Sequence, residues 1–286
     1  MSEATLAADA DLRERRWRLL DTGHLAAAMN MAIDEAILEA HAAGHVPPTL
    51  RFYGWSPAAV SIGYFQRLEA EVDLEACRSL GVDVVRRPTG GRAVLHESDE
   101  LTYSVVIRQE LLPGDVIHTY RVLCEGLLAG IHGLGVEAGM ATPDPGRSGR
   151  LEIASSSACF NSPSWYEVET GGKKVVGSAQ VRRDGVILQH GSILLELDAD
   201  RLFTVLRVPE ERRAAAKRVF LAKATSLDRA AGRPIQWAEA KAAMVAGFEI
   251  SLGLELTPGE LTPEELSRAA ELAREKYGSP SWNAKN

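Results

Sequence analysis

A mixed α+β domain ending in helices is the fold class this sequence predicts, and three observations carry the prediction. Strand-like and helix-like periods interleave over the first half of the chain. Thr170-Gly171-Gly172 and Arg183-Asp184-Gly185 then divide Trp165–Leu195 into a three-stranded meander, because glycine supplies the positive φ of hairpin turns. After Asp198 the pattern becomes helical. No internal repeat, low-complexity stretch or long linker interrupts it.

Taken in order, Trp17–Asp21 reads as a short strand, and Met29–Ala43 as a helix with Ile33, Ala36, Ile37 and Ala40 at helical spacing, ended by Gly44 and Pro47-Pro48. Thr49–Tyr53 and Ala59–Gly63 read as strands joined by a Gly54-Trp55-Ser56-Pro57 turn. Asp73–Leu80 is a short helix closed by Gly81, and Val82–Arg86 is a strand. Thr89-Gly90-Gly91 leads into two further strand-like runs, Arg92–His96 and Leu101–Ile107. Asp115–Gly135 carries Ile117, Tyr120, Cys124, Leu127, Leu128 and Ile131 on one helical stripe. The closing helices are expected at Arg201–Val208, Glu210–Ala222, Trp237–Leu252 and Pro263–Tyr277.

A net charge of −7 over 286 residues argues against a general nucleic-acid binder. There is no run of about 18 apolar residues for a membrane span and no secretory pattern at the N-terminus. Three cysteines, Cys77, Cys124 and Cys159, give no paired framework, which fits a reducing cytosol. One basic stretch stands out: Arg201 to Lys223 holds seven Lys/Arg against Glu210 and Glu211. It reads either as a solvated helix face or as a docking surface for an acidic partner.

The cysteines separate by context. Cys124 lies on an apolar helix stripe, and Cys77 sits one turn from Leu74 and Leu80, so both read as packing residues. Cys159 lies in the small-residue loop Ser155-Ser156-Ser157-Ala158-Cys159-Phe160-Asn161, open to reading as a nucleophile or as an incidental thiol. A thiolate at neutral pH needs a nearby cation. Lys173 and Lys174 are candidates, and strand alternation sends them to opposite faces, with Lys174 beside Val176. Gly90-Gly91 between two strands offers exposed backbone N–H groups, flanked by Arg86, Arg87 and Arg92. His41 and His45 are separated by the helix-breaking Gly44 and lack a third ligand, so no metal site is expected. His96 and His190 read equally as pocket-lining or as satisfied core histidines. Neither a Walker loop nor a dinucleotide fingerprint occurs.

Arg86-Arg87-Pro88-Thr89-Gly90-Gly91-Arg92-Ala93-Val94-Leu95-His96, with Glu100-Leu101-Thr102-Tyr103-Ser104 behind it, resembles the substrate-binding signature of the biotin/lipoate protein ligase and octanoyltransferase superfamily. Lys174-Val175-Val176-Gly177-Ser178-Ala179-Gln180 is similar to its lysine motif, and Met29–Ala36 and Arg51–Trp55 to its opening helix and strand. The cysteine fifteen residues before Lys174 is similar to that of the LipM-type octanoyltransferases. Glu97-Ser98 departs from the pattern, since many relatives carry Asp there.

The resemblance implies a catalytic domain over residues 17–255 with a mixed β-sheet flanked by helices, and a helical extension over residues 256–286. It implies Cys159 as acyl-thioester nucleophile and Lys174 as the cation that lowers its pKa. It implies substrate binding by Arg87, Thr89, Gly90, Gly91, His96, Gly177, Ser178, Gln180 and His190. The implied donor is acyl carrier protein, and the implied acceptor is a lysine of a lipoyl-domain protein such as glycine cleavage H protein, with no cofactor or metal. The same fold and residues would also suit an amidotransferase between lipoyl domains, and the superfamily includes ATP-dependent lipoate ligases.

Overall fold

The computed structural model describes residues 12–141 and 167–285. Their elements run, in chain order, β1 (Arg16–Leu25), α1 (Ala27–Ala42), β2 (Thr49–Trp55), β3 (Ala59–Ile62), α2 (Leu68–Glu71), α3 (Leu74–Ser79), β4 (Asp83–Arg86), β5 (Val94–His96), β6 (Leu101–Arg108) and α4 (Val116–Gly133). They continue with β7 (Gly139–Met140), β8 (Val168–Thr170), β9 (Lys173–Arg183), β10 (Val186–Ile193), α5 (Ala199–Val205), α6 (Glu210–Lys223), α7 (Leu227–Ala231), α8 (Trp237–Leu252), β11 (Glu255–Pro258), α9 (Pro263–Leu272) and α10 (Pro280–Asn283). A π-helical turn, Ala273–Tyr277, extends α9. No helix among the described residues is long and apolar enough to cross a membrane.

Among the described residues, eight strands form a mixed sheet in the order β11-β1-β2-β6-β10-β9-β8-β7, and β4-β3-β5 form a second, smaller one. Both faces of the large sheet are covered. Alternation along β2 and β6 sends Leu50, Phe52, Tyr103, Val105 and Ile107 to the core shared with α4 and α8. It sends Tyr53 and Val106 to the opposite core, shared with α1 and α9. This double burial explains why β2 is buried at every position instead of showing a polar face. α4 and α8 approach closely through glycine: a Cβ on Gly247 would lie 2.3 Å from the Gly130 nitrogen. The smaller sheet packs with α3, α5 and α6 around Val60, Ile62, Phe203 and Phe220.

The α+β class and the helix-rich C-terminal region are as expected, and the meander is β8-β9-β10. Two points differ in detail. β2 and β3 are not neighbours; Gly54 and Trp55 continue β2, and the chain then crosses into the smaller sheet. The short run Glu255–Pro258 is a strand, paired in parallel with β1 from Arg16↔Glu255 to Leu19↔Pro258. Four residues ending in proline carry little strand signal by themselves; the edge of β1 makes them one.

Candidate active site

Register builds the centre of the site. Arg51 on β2 pairs with Ser104 on β6, and Ser104 pairs with His190 on β10. These three side chains form a row across adjacent strands on the face under α1, and Asp34 of α1 comes down onto it. Asp34 Oδ1 accepts from Arg51 Nη1 and from Ser104 Oγ, each at 2.7 Å. Oδ2 accepts from the Tyr53 hydroxyl and faces His190 Nδ1, both at 3.2 Å. His190 Nε2 lies 2.7 Å from Thr89 Oγ1. Burial works against the Asp34 charge, but Arg51, His190 and Ser104 outweigh it and hold the carboxyl below its ordinary value. Burial is also the largest influence on His190; with Arg87 and His96 it keeps that imidazole below the ordinary histidine range, against the pull of Asp34.

A second histidine is held on the same side. His96 faces Glu100 Oε1 through Nδ1 at 2.7 Å and Ser61 Oγ through Nε2 at 2.8 Å, and stacks on Trp55 with ring centroids 4.0 Å apart. Arg87 turns inward: it donates to the Ser61 carbonyl and hydroxyl and to the carbonyls of Gly90 and Arg92, so it shapes the glycine turn. Gly91 has φ +94°, and a Cβ on Gly63 would meet the Gly91 carbonyl at 2.1 Å, so two backbones touch here with no room for side chains.

These elements enclose a narrow cavity of about 60 Å³ with an apolar wall of Met31, Tyr53, Trp55 and Val94 and a polar wall that includes Arg87, His96 and His190. A larger cleft of about 520 Å³ beside α5 and α6 is a poorer candidate. Two of its cations are paired, Arg201 to Glu97 at 2.8 Å and Lys217 to Asp200, and none of the Asp34–Arg51–Ser104–His190 row lines it. These pairs, with Arg213 to Glu210, also answer part of the positive excess between Arg201 and Lys223.

Of the residues singled out in the sequence, Arg87, Gly91, His96, Gly177, Ser178 and His190 line the narrow cavity. Thr89 touches it through His190, and the Gly90 carbonyl is tied back by Arg87. Gln180 lies further along β9, where its side chain bonds to Gln189 and Thr119. Ser178 Oγ is 2.7 Å from the Tyr103 hydroxyl. Lys174 is buried three residues before Gly177, and its ammonium donates to Glu167, a partner the sequence reading did not single out. Lys173 instead donates to the Leu221 carbonyl of α6 at 2.9 Å. Simple alternation does not run through this stretch: Glu169 pairs with Lys174 but Val168 with Val176, a bulge that adds one residue to β9. Cys159 lies outside the described residues. Cys77 and Cys124 are buried, and burial pushes the Cys77 thiol up to about 11 and Cys124 upward as well, which makes both poor nucleophiles.

Residues 26–249 match the lipoyl protein ligase A/B catalytic domain. The chain is 56% identical to octanoyltransferase LipM of Symbiobacterium thermophilum, over 94% of this chain and 98% of that one. It is 45% identical to octanoyltransferase LipM of Bacillus subtilis, over 96% and 100%. Among solved structures, a bipartite lipoate protein ligase studied with its E2 lipoyl domain from Thermoplasma acidophilum superposes with a TM-score of 0.77 at 28% identity, over 95% and 97% of the two chains. A lipoate-protein ligase A bound with ATP gives a TM-score of 0.75 at 30% identity, over 95% and 98%. The chain belongs to the lipoyl protein ligase A/B family and, within it, to the octanoyltransferase LipM group. It is an acyltransferase.

Proposed function

We propose that this enzyme takes an octanoyl group from acyl carrier protein onto Cys159 and passes it to a lysine of a lipoyl domain, such as that of glycine cleavage H protein. The observation that carries this reading is likeness to octanoyltransferase LipM at 44–56% identity over nearly the whole chain. The chemistry needs no ATP. Exchange of one thioester for another is nearly isoenergetic, and the amide formed afterwards is more stable than the thioester consumed. Lys174 supplies a buried ammonium to favour the Cys159 thiolate, with Glu167 holding it in place. Backbone N–H groups near Gly177 or Gly90-Gly91 would serve the oxyanion of each tetrahedral intermediate. The apolar wall of Met31, Tyr53, Trp55 and Val94 suits an alkyl chain.

Intact-mass spectrometry after mixing with octanoyl-carrier protein, without ATP, should reveal a hydroxylamine-labile octanoyl adduct. Cys159→Ala should lose it, while Cys77→Ala and Cys124→Ala keep it. An adduct that persists in Cys159→Ala, or activity that demands ATP and a free acid, overturns the proposal.

A further inference from the structure

We propose that Arg86 is a positioning residue for acyl binding: it ties loop 63–66 to the C-terminal segment 282–285 and so holds in place the Gly90-Gly91 turn that walls the narrow cavity. What the cavity holds rests on the acyl-transfer reading above, whereas the tie itself rests on hydrogen bonds alone.

Arg86 ends β4, an outer strand of the smaller sheet, and its side chain is buried. A guanidinium spreads its donors over three nitrogens and accepts nothing. Here Nη1 donates to the carbonyls of Gly63, Tyr64 and Gln66 at 3.1, 2.8 and 2.7 Å. Nε and Nη2 donate to those of Trp282, Asn283 and Lys285 at 3.0, 2.9 and 2.8 Å. The main chain of Arg86 joins the same segment: its amide donates to Asn283 Oδ1, and its carbonyl accepts from Trp282 Nε1. Side chains thus close an edge that a further strand would otherwise pair. Beside them the Lys285 ammonium lies 3.3 Å from the Tyr64 ring centroid and 3.7 Å from that of Trp282.

Loop 63–66 backs directly onto the cavity wall. The Tyr64 amide donates to the Thr89 carbonyl at 2.8 Å, and the Arg87 amide to the Ile62 carbonyl at 3.0 Å. Gly63 meets Gly91 too closely for a Cβ, and Gly91 lines the cavity. A shift of the loop therefore moves the wall. Packing does little to prevent one, since Tyr64 is 38% exposed and Phe65 87%. The loop is held by its backbone bonds, and Arg86 takes three of its carbonyls. Glu35 anchors the C-terminal region elsewhere, through Lys276 and Tyr277, so the two ties can be cut separately. An octanoyl chain entering the cavity of the native enzyme meets a wall already ordered. With the tie cut, binding must order that wall, and fixing one backbone residue costs about tenfold in affinity. The cost falls on binding and leaves the chemical step alone.

The test compares full-length Arg86→Lys with wild type. Lysine keeps the charge, but its donors sit on a single nitrogen and cannot span both segments. Hydrogen exchange at the Tyr64 and Arg87 amides should quicken about tenfold or more, while β6 and β10 keep their protection. The concentration of octanoyl-carrier protein that half-saturates adduct formation should rise about tenfold, with the limiting rate within about threefold. Unchanged exchange at the loop, or unchanged half-saturation, overturns the proposal. Faster exchange throughout β6 and β10 would mark Arg86 as merely structural and overturn it too, as would a loss confined to the limiting rate. Should Arg86→Lys fail to fold, Trp282→Ala combined with Asn283→Ala decides, because it removes the side chains that bind the Arg86 main chain. A rise in half-saturation is expected there, and its absence is fatal. If no adduct forms on wild type, the acyl-enzyme reading fails, whereas hydrogen exchange still reports on the tie.

Discussion

Asp34 and Glu35 are consecutive carboxylates on α1, both buried and both held below the ordinary acid range, yet they face different parts of the molecule. One helical step turns a side chain by about 100°. Asp34 points onto the Arg51–Ser104–His190 row. Glu35 points to the C-terminal region, where it binds Lys276 and Tyr277, and to the end of β9, where it binds Arg183 at 2.7 Å. Their partners differ in access to water: Arg51 is fully buried, whereas Lys276 and Arg183 are 23% and 35% exposed. A carboxylate whose charged partner cannot reach solvent is bound into the core; one whose charged partners can is a clasp. Similar residues on one helix can therefore fail in different ways.

The largest effect expected from this contrast is on stability. Asp34→Ala leaves Arg51 as a buried charge without its carboxylate, a loss of about 3–5 kcal/mol. Urea unfolding followed by circular dichroism measures it. A loss below about 1 kcal/mol would mean that the guanidinium finds another partner or that water enters, and the contrast with Glu35 would collapse.

Glu35→Ala should cost less, roughly 1–2 kcal/mol, because Lys276 and Arg183 can rehydrate and so recover part of what the hydrogen bonds supplied. Its folded fraction should keep octanoyl transfer. The protection lost in hydrogen exchange should fall on α9 and Ala273–Tyr277, which pack on α1, and should spare β6 and β10. Loss of transfer at unchanged β-sheet protection would show that the C-terminal clasp reaches the cavity.

The elements were largely legible in the sequence because each is written locally, in periodicity, caps and glycine turns. Asp115 and Asp73, for example, stand as N-caps where the helices begin. The cavity wall was legible in part: Gly90-Gly91, Arg87, His96 and His190 belong to segments with motif character. What held those residues was not. Asp34 sits 17 residues from Arg51, 70 from Ser104 and 156 from His190, so only strand register brings them together. Its one local sign was an acid one helical turn from Met31, Ile37 and Leu38, on a face that also carries Asn30 and His41. The Glu100–His96–Ser61 array hid for the same reason, since β3 and β5 meet only in the smaller sheet. β11 was lost because it depends on an edge about 240 residues away.

The smallest expected effect is a change in the pH dependence of stability, and it isolates the Glu35 charge from its shape. Burial works against ionised Glu35, but Lys276, Tyr277 and Arg183 prevail, so its folded value lies below the ordinary 4.5. The unfolded chain then takes up a proton at a higher pH than the folded one, and stability rises with pH across that interval. The contribution is complete above the unfolded value and is lost as pH falls through the folded one. Glu35→Gln keeps the side chain's size and removes this contribution at every pH. The difference in urea midpoint between wild type and Glu35→Gln should therefore be flat above about pH 5.5, where an ordinary glutamate is ionised, and shrink on acidification. Asp34 is present in both proteins, so its own acid sensitivity cancels in the difference. A gap that stays constant down to pH 3 would mean that Glu35 is not held ionised by its clasp. A gap that widens on acidification would mean that the folded protein binds the Glu35 proton more tightly than the unfolded chain does. In either case the two carboxylates could no longer be distinguished by whether their charged partners reach water.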